Sequence, residues 1–328
     1  MIYPLICFIV LLAAELGYFW LARRFQIVDR PNSRSSHNRV VLRGGGVIFY
    51  LAVLLYSVTH DMAFLPFLAG LTIVAIVSFI DDIRGLPGWL RMVAQVAALL
   101  VAFHSSYSSL QPWQIVVFLI FFAGVLNVYN FMDGVNGMLA LYSLVVLGTF
   151  EYMNIRMQPF VSHQLMLSLI FAVLIFGFFN VRTRARCFSG DVGSVSMGLI
   201  VIFLFMCYDA AVIDDGENLS FLSFTMVFLI DGVLTVAKRF LYGKNIMQPH
   251  REHLYETLVN DRHWPHLVVS AFYALLQLVI NVGWFFVPDH NLYTVCVALF
   301  LTVGYSLFFF FINRKLQTES NPESASVS

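Results

Sequence analysis

Long apolar runs separated by short polar segments make up most of the chain. A helix of about 20 apolar residues is long enough to cross a bilayer. The pattern therefore predicts an all-α, polytopic membrane protein with about eleven transmembrane helices. The runs lie at about 2–22, 45–59, 63–80, 91–104, 113–128, 136–154, 164–180, 192–209, 219–237, 266–287 and 292–313.

Basic residues predict the orientation of these spans. The first run has no basic residue before it and is followed at once by Arg23 and Arg24, so we interpret it as an uncleaved span with its N-terminus outside. On that topology, 18 of the 19 Lys and Arg residues lie on inner segments and only Arg156 lies outside. Because positively charged loops remain in the cytoplasm, we expect the C-terminus and the polar loops to be inside.

Composition agrees with a membrane protein. The chain is 59% hydrophobic and 12% charged, whereas soluble domains carry about 25% charged residues. Its four cysteines are scattered without a CxxC or Cys/His pairing, which argues against a disulfide framework or a zinc site. We expect one transmembrane domain over 1–315, a polar, disordered tail over 316–328, and no nucleic-acid partner.

A polar stretch at the junction of two apolar runs is the first candidate site. If it is helical, its first three polar side chains lie on one slowly rotating face. Amide and carboxylate oxygens suit Mg²⁺, a ribose or a base edge, although a polar helix end with a glycine turn is the simpler alternative. The four side chains recur every third residue: Asn127, Asn130, Asp133 and Asn136.

Adjacent carboxylates at Asp81 and Asp82 end another run. Two such groups at a bilayer edge repel each other and therefore suit a metal, a cation or proton transfer. The alternative is a helix-end pair that faces water.

Two basic, glycine-containing loops are further candidates. One covers 29–37 and 43–46, and the other covers 182–194, where Asp191 lies between two glycines. Arginine forks pair with phosphates, and a carboxylate in a glycine turn is a natural Mg²⁺ ligand. The arginines are also explained as ordinary topology signals.

A histidine pair lies in the inner loop 238–265. His250 and His253 would share a face if helical, and with Arg251 between them the loop could bind a metal or a diphosphate. Asp231 lies near the predicted inner end of its span, where Lys238 or Arg239 could be its partner. Glu15 in the first span has no assigned role.

Together, these motifs resemble the polyprenyl-phosphate N-acetylhexosamine-1-phosphate transferases, glycosyltransferase family 4. The chain is most similar to the branch that initiates bacterial O-antigen or capsule synthesis, and it lacks the three consecutive histidines typical of the related lipid I synthase. It departs from the family at Arg184-Ala-Arg186, where Pro-Ala-Lys is usual, and at Ser189, where Met is common. The matching elements are Asp29-x-Pro-Asn-x-Arg-x-x-His37, Gly44–Gly46, Asp81-Asp82, Asn127–Gly137, Phe188–Ser194, Asp231 and His250-x-x-His253.

The resemblance implies roles for individual residues. The metal-binding positions, for Mg²⁺ or Mn²⁺ in its place, are Asn130 and Asp191. The catalytic candidates are Asp81 and Asp82, near the lipid phosphate, with Asp133 and His253. The substrate-binding candidates are Asn136 at the uracil, His250 and Arg251 at the diphosphate and sugar, and His37, Asn127 and Arg186.

The reaction implied by the resemblance is transfer of a sugar 1-phosphate from a UDP-N-acetylhexosamine to undecaprenyl phosphate, with release of UMP. We expect direct attack at the cytoplasmic face of a bacterial inner membrane, in lipopolysaccharide or other cell-envelope synthesis. The family suggests a homodimer. The donor stays open among GlcNAc, GalNAc, FucNAc and QuiNAc. A transporter, the main alternative, would carry ionisable groups at mid-membrane depth and internal repeats, and a membrane scaffold would not need clustered carboxylates.

Overall fold

In a computed structural model, helices occupy the positions of the predicted apolar runs. The structure describes residues 2–31, 36, 39–60, 64–106, 110–212, 219–245 and 251–320. The long helices are α1 Ile2–Arg24, α2 Val47–Thr59, α3 Leu65–Arg84, α4 Gly88–Ala102, α5 Pro112–Phe131, α6 Met138–Arg156, α7 His163–Asn180, α8 Gly190–Val212, α9 Ser220–Leu241, α11 His266–Trp284 and α12 His290–Ser320. Between α9 and α11, a short helix α10, Leu254–Glu256, continues as a π-helical turn, Thr257–Asp261.

The all-α, membrane-spanning class is confirmed. Within the described ranges, eight helices are long and apolar enough to cross a membrane, namely α1, α3, α5, α6, α7, α8, α11 and α12. Helices α2 and α4 are apolar but shorter, and α9 carries three charged residues. The count of eleven crossings and their orientation stay predictions. Helix α12 continues to Ser320, five residues into the segment predicted as the polar tail.

Helix α8 lies at the centre of the bundle. It packs against α3 and α5, while α3 also packs on α4, α6 on α7 and α11, and α9 on α11 and α12. Most of α8 is buried by its neighbours, whereas α12 lies at the periphery with few buried positions. The two ends of α3 and α8 that carry acidic residues are therefore brought together by a core contact.

A small β-structure holds the loops at that end of the bundle. Strand β1, Val28–Asp29, pairs antiparallel with β2, Val41–Leu42, and Leu42 forms a bridge with Cys187 in the loop before α8. The amides of Gly45 and Gly46 donate to the carbonyls of Phe188 and Ser189, at 2.8 and 3.0 Å. These amides hold the two loops together.

Candidate functional site

Three carboxylates and two guanidinium groups form one cluster where α3 meets α8. Arg43 Nε lies 2.7 Å from Asp82 Oδ1, and Arg43 Nη2 lies 3.3 Å from Asp191 Oδ1. Arg91, from the first turn of α4, bridges Asp81 Oδ2 at 3.1 Å and Asp191 Oδ2 at 3.2 Å. The alternating charges explain how the protein accommodates three carboxylates at a membrane boundary.

Asp82 has a structural position within this cluster. It accepts hydrogen bonds from the backbone amides of Asp191 at 2.9 Å and Val192 at 3.1 Å, which are the first turn of α8. Its side chain is 0% exposed, against 7% for Asp81 and 14% for Asp191. A Cβ at position 190 would collide with the Asp82 carboxylate, so glycine is required there. Asp82 therefore caps α8, and the other two carboxylates face the site.

The two arginines of the cluster were not among the predicted site residues. Burial lowers the pKa of Arg43, but the Asp82, Asp191 and Asp29 carboxylates together outweigh burial and the net shift is upward, so this residue is a permanent cation. Its carbonyl also accepts a hydrogen bond from Tyr18 at 2.5 Å. The signals in the sequence were an arginine directly before Gly44 and another, Arg91, ten residues after Asp81.

The polar stretch 127–136 is not one helical face, because α5 ends at Phe131 and the last two polar residues lie in the following turn. Asn127 Nδ2 donates to Gln95 Oε1 at 2.8 Å, and Asn130 Nδ2 donates to Asp191 Oδ2 at 3.3 Å. Only Asn130 of these two contacts the carboxylate cluster directly.

Asp133 accepts a hydrogen bond from the Ser189 hydroxyl, one residue before α8. Burial raises the pKa of Asp133 to about 8, and the hydrogen bond from Ser189 opposes that shift. This carboxyl can therefore change its protonation near neutral pH, and the departure of the chain from the family at Ser189 lies directly against it.

The residues around Asp191 fit a hard divalent cation. A cavity of about 10 Å³, enough for one water-sized species, is lined by Asn127, Asn130, Asp191, Arg91 and Gln95. In the described part of the chain no three His, Cys, Asp or Glu side chains form a metal-binding group. The fit therefore rests on the Asp191 carboxylate and on Asn130, whose amide oxygen accepts one hydrogen bond from Ser194 at 2.9 Å and keeps a second lone pair. This leaves positions for water and substrate, as Mg²⁺ prefers.

The inner loop 238–265, which carries the histidine pair and is called the histidine loop below, contacts the middle of α9 through His253. His253 is 2% exposed, and its Nδ1 lies 3.4 Å from Asp231 Oδ1. Burial lowers the pKa of His253, but the hydrogen bond to Asp231 and the charges of Asp231 and Glu256 together raise it above its ordinary value. His250, like His37, lies outside the described residues.

The prediction that Lys238 or Arg239 pairs with Asp231 is wrong. Arg239 pairs with Glu252 at 2.6 Å, and the Lys238 ammonium lies 3.8 Å from the centre of the Phe309 ring. Asp231 also lies at the middle of α9 rather than near its inner end, because α9 starts at Ser220 and ends at Leu241. Its neighbours come from a loop that sequence spacing does not place at that depth.

A cavity of about 790 Å³ is lined in part by Phe188 and by the arginine-containing loop before α8. It includes two predicted substrate residues, Asn136 and Arg251, and it adds Arg39, Arg184 and Trp264. Arg186, the predicted arginine, is exposed and its backbone N–H bonds to Phe179 O at 2.9 Å. The remaining walls of the cavity are Ser36, Val40, Val41, Thr183, Ala185, Phe188, Val259, Asn260, His263 and His266.

Asn136 holds one wall of that cavity. Its amide nitrogen donates to the carbonyl oxygens of Arg182 at 2.9 Å and Thr183 at 3.4 Å, and the residue is 6% exposed. Asn180 makes a matching contact, donating to Cys187 O at 2.9 Å. These two amides clamp both ends of the arginine loop, so Asn136 has a positioning contact in addition to its place on the cavity wall.

The chain is similar to known proteins of the family that its motifs resemble. The model of glycosyl transferase family 4 matches residues 64–209, which carry Asp81, Asn130 and Asp191. An undecaprenyl-phosphate alpha-N-acetylglucosaminyl 1-phosphate transferase of Thermotoga maritima is 26% identical, covering 85% of this chain and 89% of the relative. The transferase of the same name in Yersinia pestis is 21% identical, covering 89% and 88%. A probable undecaprenyl-phosphate N-acetylglucosaminyl 1-phosphate transferase of Bacillus subtilis is 24% identical, covering 79% and 78%. The resemblance inferred from the motifs is confirmed.

Proposed function

We propose that the chain, of which residues 64–209 match the model of glycosyl transferase family 4, transfers an N-acetylhexosamine 1-phosphate from a UDP-sugar to undecaprenyl phosphate, with release of UMP. The observation that carries this proposal is the junction of two sites. The segment Phe188–Asp191 lines the 790 Å³ cavity at Phe188 and supplies Asp191 to the carboxylate cluster. A soluble nucleotide and a membrane-held phosphate can meet there.

The donor occupies the large cavity in this proposal. Arg39, Arg184 and Arg251 line it, and guanidinium groups match the geometry of phosphate oxygens. Aromatic side chains, including Phe188 and Trp264, lie on the same walls and offer faces for a base or a sugar ring. A cavity with both features suits a nucleoside diphosphate-sugar.

Charge neutralisation is the main demand of this reaction, because both substrates are anions and phosphoryl transfer depends on positioning and electrostatics. Asn130 and Asp191 would hold Mg²⁺, or Mn²⁺ in its place, which when bound would neutralise charge on the diphosphate. Arg91 lies beside them and is 40% exposed along its side chain, so it can face an incoming phosphate.

Asp81 is the carboxylate that we place beside the acceptor phosphate. It is held by Arg91 and by the backbone amide of Leu86, which fixes its orientation at the end of α3. A phosphomonoester has a second pKa of about 6, so the lipid phosphate is mostly dianionic at pH 7 and can attack directly. Asp81 then orients the acceptor through Arg91. The acceptor oxygen forms a bond to the donor phosphorus that carries the sugar, and the bond from that phosphorus to UMP breaks and releases UMP.

The test is a reconstituted transfer assay. The purified full chain is incubated with undecaprenyl phosphate, Mg²⁺ and either UDP-GlcNAc, UDP-GalNAc, UDP-FucNAc or UDP-QuiNAc, and UMP and the lipid-linked product are measured. UDP-GlcNAc is the first donor to test because the relatives are named for N-acetylglucosamine. We expect lipid-dependent UMP release that chelation abolishes and Mg²⁺ or Mn²⁺ restores. No lipid-linked product with any donor would overturn the proposal.

The site is proposed to face the cytoplasm of a bacterial inner membrane. The support is the placement of 18 of the 19 basic residues on one side of the predicted topology. Single cysteines at Arg84 and Arg186 should resist a membrane-impermeant thiol reagent in intact cells and react after lysis. Strong labelling of intact cells would reverse the orientation.

A further inference from the structure

Asp231 is a carboxylate in the middle of the membrane-embedded bundle. It lies ten residues before the end of α9, about 15 Å at the rise of an α-helix, and it is 1% exposed. A carboxylate at such depth is costly unless donors surround it, so these residues are usually functional. The predicted chemistry assigns it no role.

The donors to Asp231 come from the histidine loop and from three helices. The backbone amides of Leu254 and Tyr255 donate to it at 3.0 and 3.4 Å, and both belong to the first turn of α10. Tyr273 of α11 donates its hydroxyl at 2.6 Å. The remaining donors are Thr235 of α9 at 3.3 Å, Tyr305 of α12 at 3.3 Å and Nδ1 of His253 at 3.4 Å.

These contacts place the start of α10 at the depth of Asp231. Because Asp231 lies ten residues before the end of α9 at Leu241, the start of α10 lies beside the middle of α9 and not beside its end. Backbone amides at membrane depth need a partner inside the protein. Asp231 supplies that partner for two of them and at the same time fixes the ring of His253.

We infer that Asp231 is a positioning residue for the transfer reaction: it holds the start of α10 so that His253 is presented to the donor diphosphate. The inference rests on the proposed function, because it assigns His253 to the substrate. Arg251 lines the large cavity, which puts the segment held by Asp231 on the donor side of the site.

A double-mutant cycle tests whether Asp231 acts through His253. Asp231→Asn, His253→Ala and the double variant are compared by turnover number and by the Michaelis constant for the UDP-sugar. We expect Asp231→Asn to lower turnover at least tenfold with less than a threefold change in the Michaelis constant. In the His253→Ala background the same change should lower turnover by less than threefold, because contacting residues are not additive. Losses that multiply would overturn the inference.

A second carboxylate–histidine pair provides the matched control. Glu151 of α6 bonds to His163 at the start of α7 and belongs to neither of the two sites described above. Glu151→Gln should leave turnover within twofold of wild type. If Glu151→Gln and Asp231→Asn lower turnover equally, the effect is general destabilisation and the inference fails.

Hydrogen exchange gives a readout that does not depend on the transfer assay. In Asp231→Ala, the amides of a peptide covering 251–258 should exchange at least tenfold faster, while a peptide from α8 keeps its wild-type rate. Wild-type exchange in this peptide would overturn the positioning role even if transfer is never detected. If transfer is absent but exchange rises, the proposed function fails and the anchoring by Asp231 stands.

Tyr273→Phe provides a variant that removes one hydrogen bond without removing the carboxylate. It replaces Asp231→Asn in the cycle if that protein does not purify as a single species. We then expect a threefold to tenfold loss of turnover in the wild-type background and less than a twofold loss in His253→Ala. Equal losses in both backgrounds would contradict the inference.

Discussion

Asp82, in the carboxylate cluster, and Asp231, beside the histidine loop, both bind the first turn of another helix, but different groups balance their charges. Each is buried, and each accepts two backbone N–H groups from the first turn of a helix in another part of the chain. Asp82 is balanced by Arg43, which is always charged, whereas Asp231 is balanced by His253 and three hydroxyl groups. The partner of Asp82 therefore stays charged at any physiological pH, whereas the partner of Asp231 is a histidine that can lose its charge.

The two contacts also join elements of different size. Asp82 joins α3 to α8, two helices of 20 and 23 residues that pack along their length. Asp231 holds a three-residue helix and the π-helical turn after it. Short elements with few packing partners open more easily than long packed helices. The comparison indicates a rigid phosphate side and a more easily perturbed donor side.

The largest effect should come from Asp191→Asn, which removes a carboxylate from the rigid side. The amide is a weaker ligand for a divalent cation, so the transition state loses charge stabilisation. We expect a loss of about a thousandfold in turnover, or about 4 kcal/mol, with the protein still folded. Activity within tenfold of wild type in the transfer assay would show that Asp191 is not a main ligand.

Asp82→Ala should destabilise the fold itself. It leaves Arg43 without its nearest partner and two amides of α8 without an acceptor, and breaking a buried ion pair costs about 3–5 kcal/mol. We expect about 3 kcal/mol, because the Arg43 side chain is 32% exposed. Thermal unfolding in detergent measures it.

Removing Arg43 as well sharpens this prediction. The double variant Arg43→Ala with Asp82→Ala should unfold at a higher temperature than Asp82→Ala alone, because the guanidinium group that lost its nearest partner is removed as well. A double variant no more stable than the single one would mean that the helix cap, and not the ion pair, dominates.

The histidine side should give the stability of the protein a dependence on pH. The pKa of His253 is raised above its ordinary value, so its stabilising contribution is fully present below about pH 6.5 and is lost as pH rises through the folded-state pKa. Burial raises the pKa of Glu256 to about 7, so the contribution of this group to the stability of the protein also decreases as pH rises. Unfolding temperature should therefore fall from pH 6 to pH 9.

Single substitutions separate the contributions of His253 and Glu256 to this pH dependence. His253→Gln should flatten the decline more than Glu256→Gln does, since only the histidine bonds to Asp231. A decline that persists unchanged in His253→Gln would assign the pH dependence to another group.

Asn136→Ala should have a moderate effect on the donor side. The sequence assigned this amide to the uracil base, and the structure shows it donating to the carbonyls of Arg182 and Thr183. Loss of either contact should weaken binding of the UDP-sugar by about 1–2 kcal/mol. The Michaelis constant for the UDP-sugar should therefore rise, while the turnover number stays unchanged. Asn136→Asp, which loses the same donors, should match it. Lost turnover with an unchanged Michaelis constant would place Asn136 at the reacting phosphate.

The smallest effect should come from the outer part of the histidine loop. Glu252 pairs with Arg239, whose side chain is 6% exposed, and with Lys244, whose side chain is 48% exposed. Exposed pairs contribute about 0–1 kcal/mol, so Lys244→Ala should change the unfolding temperature by little and Arg239→Ala by clearly more. Equal shifts in the two variants would contradict this order.

Much of the molecule is determined by the sequence alone. Apolar runs of the length that spans a bilayer predicted the positions of the long helices, because a chain in lipid must satisfy its backbone within each segment. The family could also be inferred, since its motifs are short and local. Asp81, Asp82, Asn130 and Asp191, which the structure brings together, were all candidates on the basis of their spacing and their position at the ends of spans.

Only the tertiary structure distinguishes the roles of these residues. Asp81 and Asp82 are identical side chains one residue apart, and successive positions on a helix point about 100° apart. That rotation turns Asp82 toward the first turn of α8 and leaves Asp81 at the site. Arg91 and the walls of the large cavity come from loops distant in sequence, so spacing carries no signal for them. The anchoring of α10 by Asp231 depends on how far a loop returns into the bundle, which packing decides and local pattern does not.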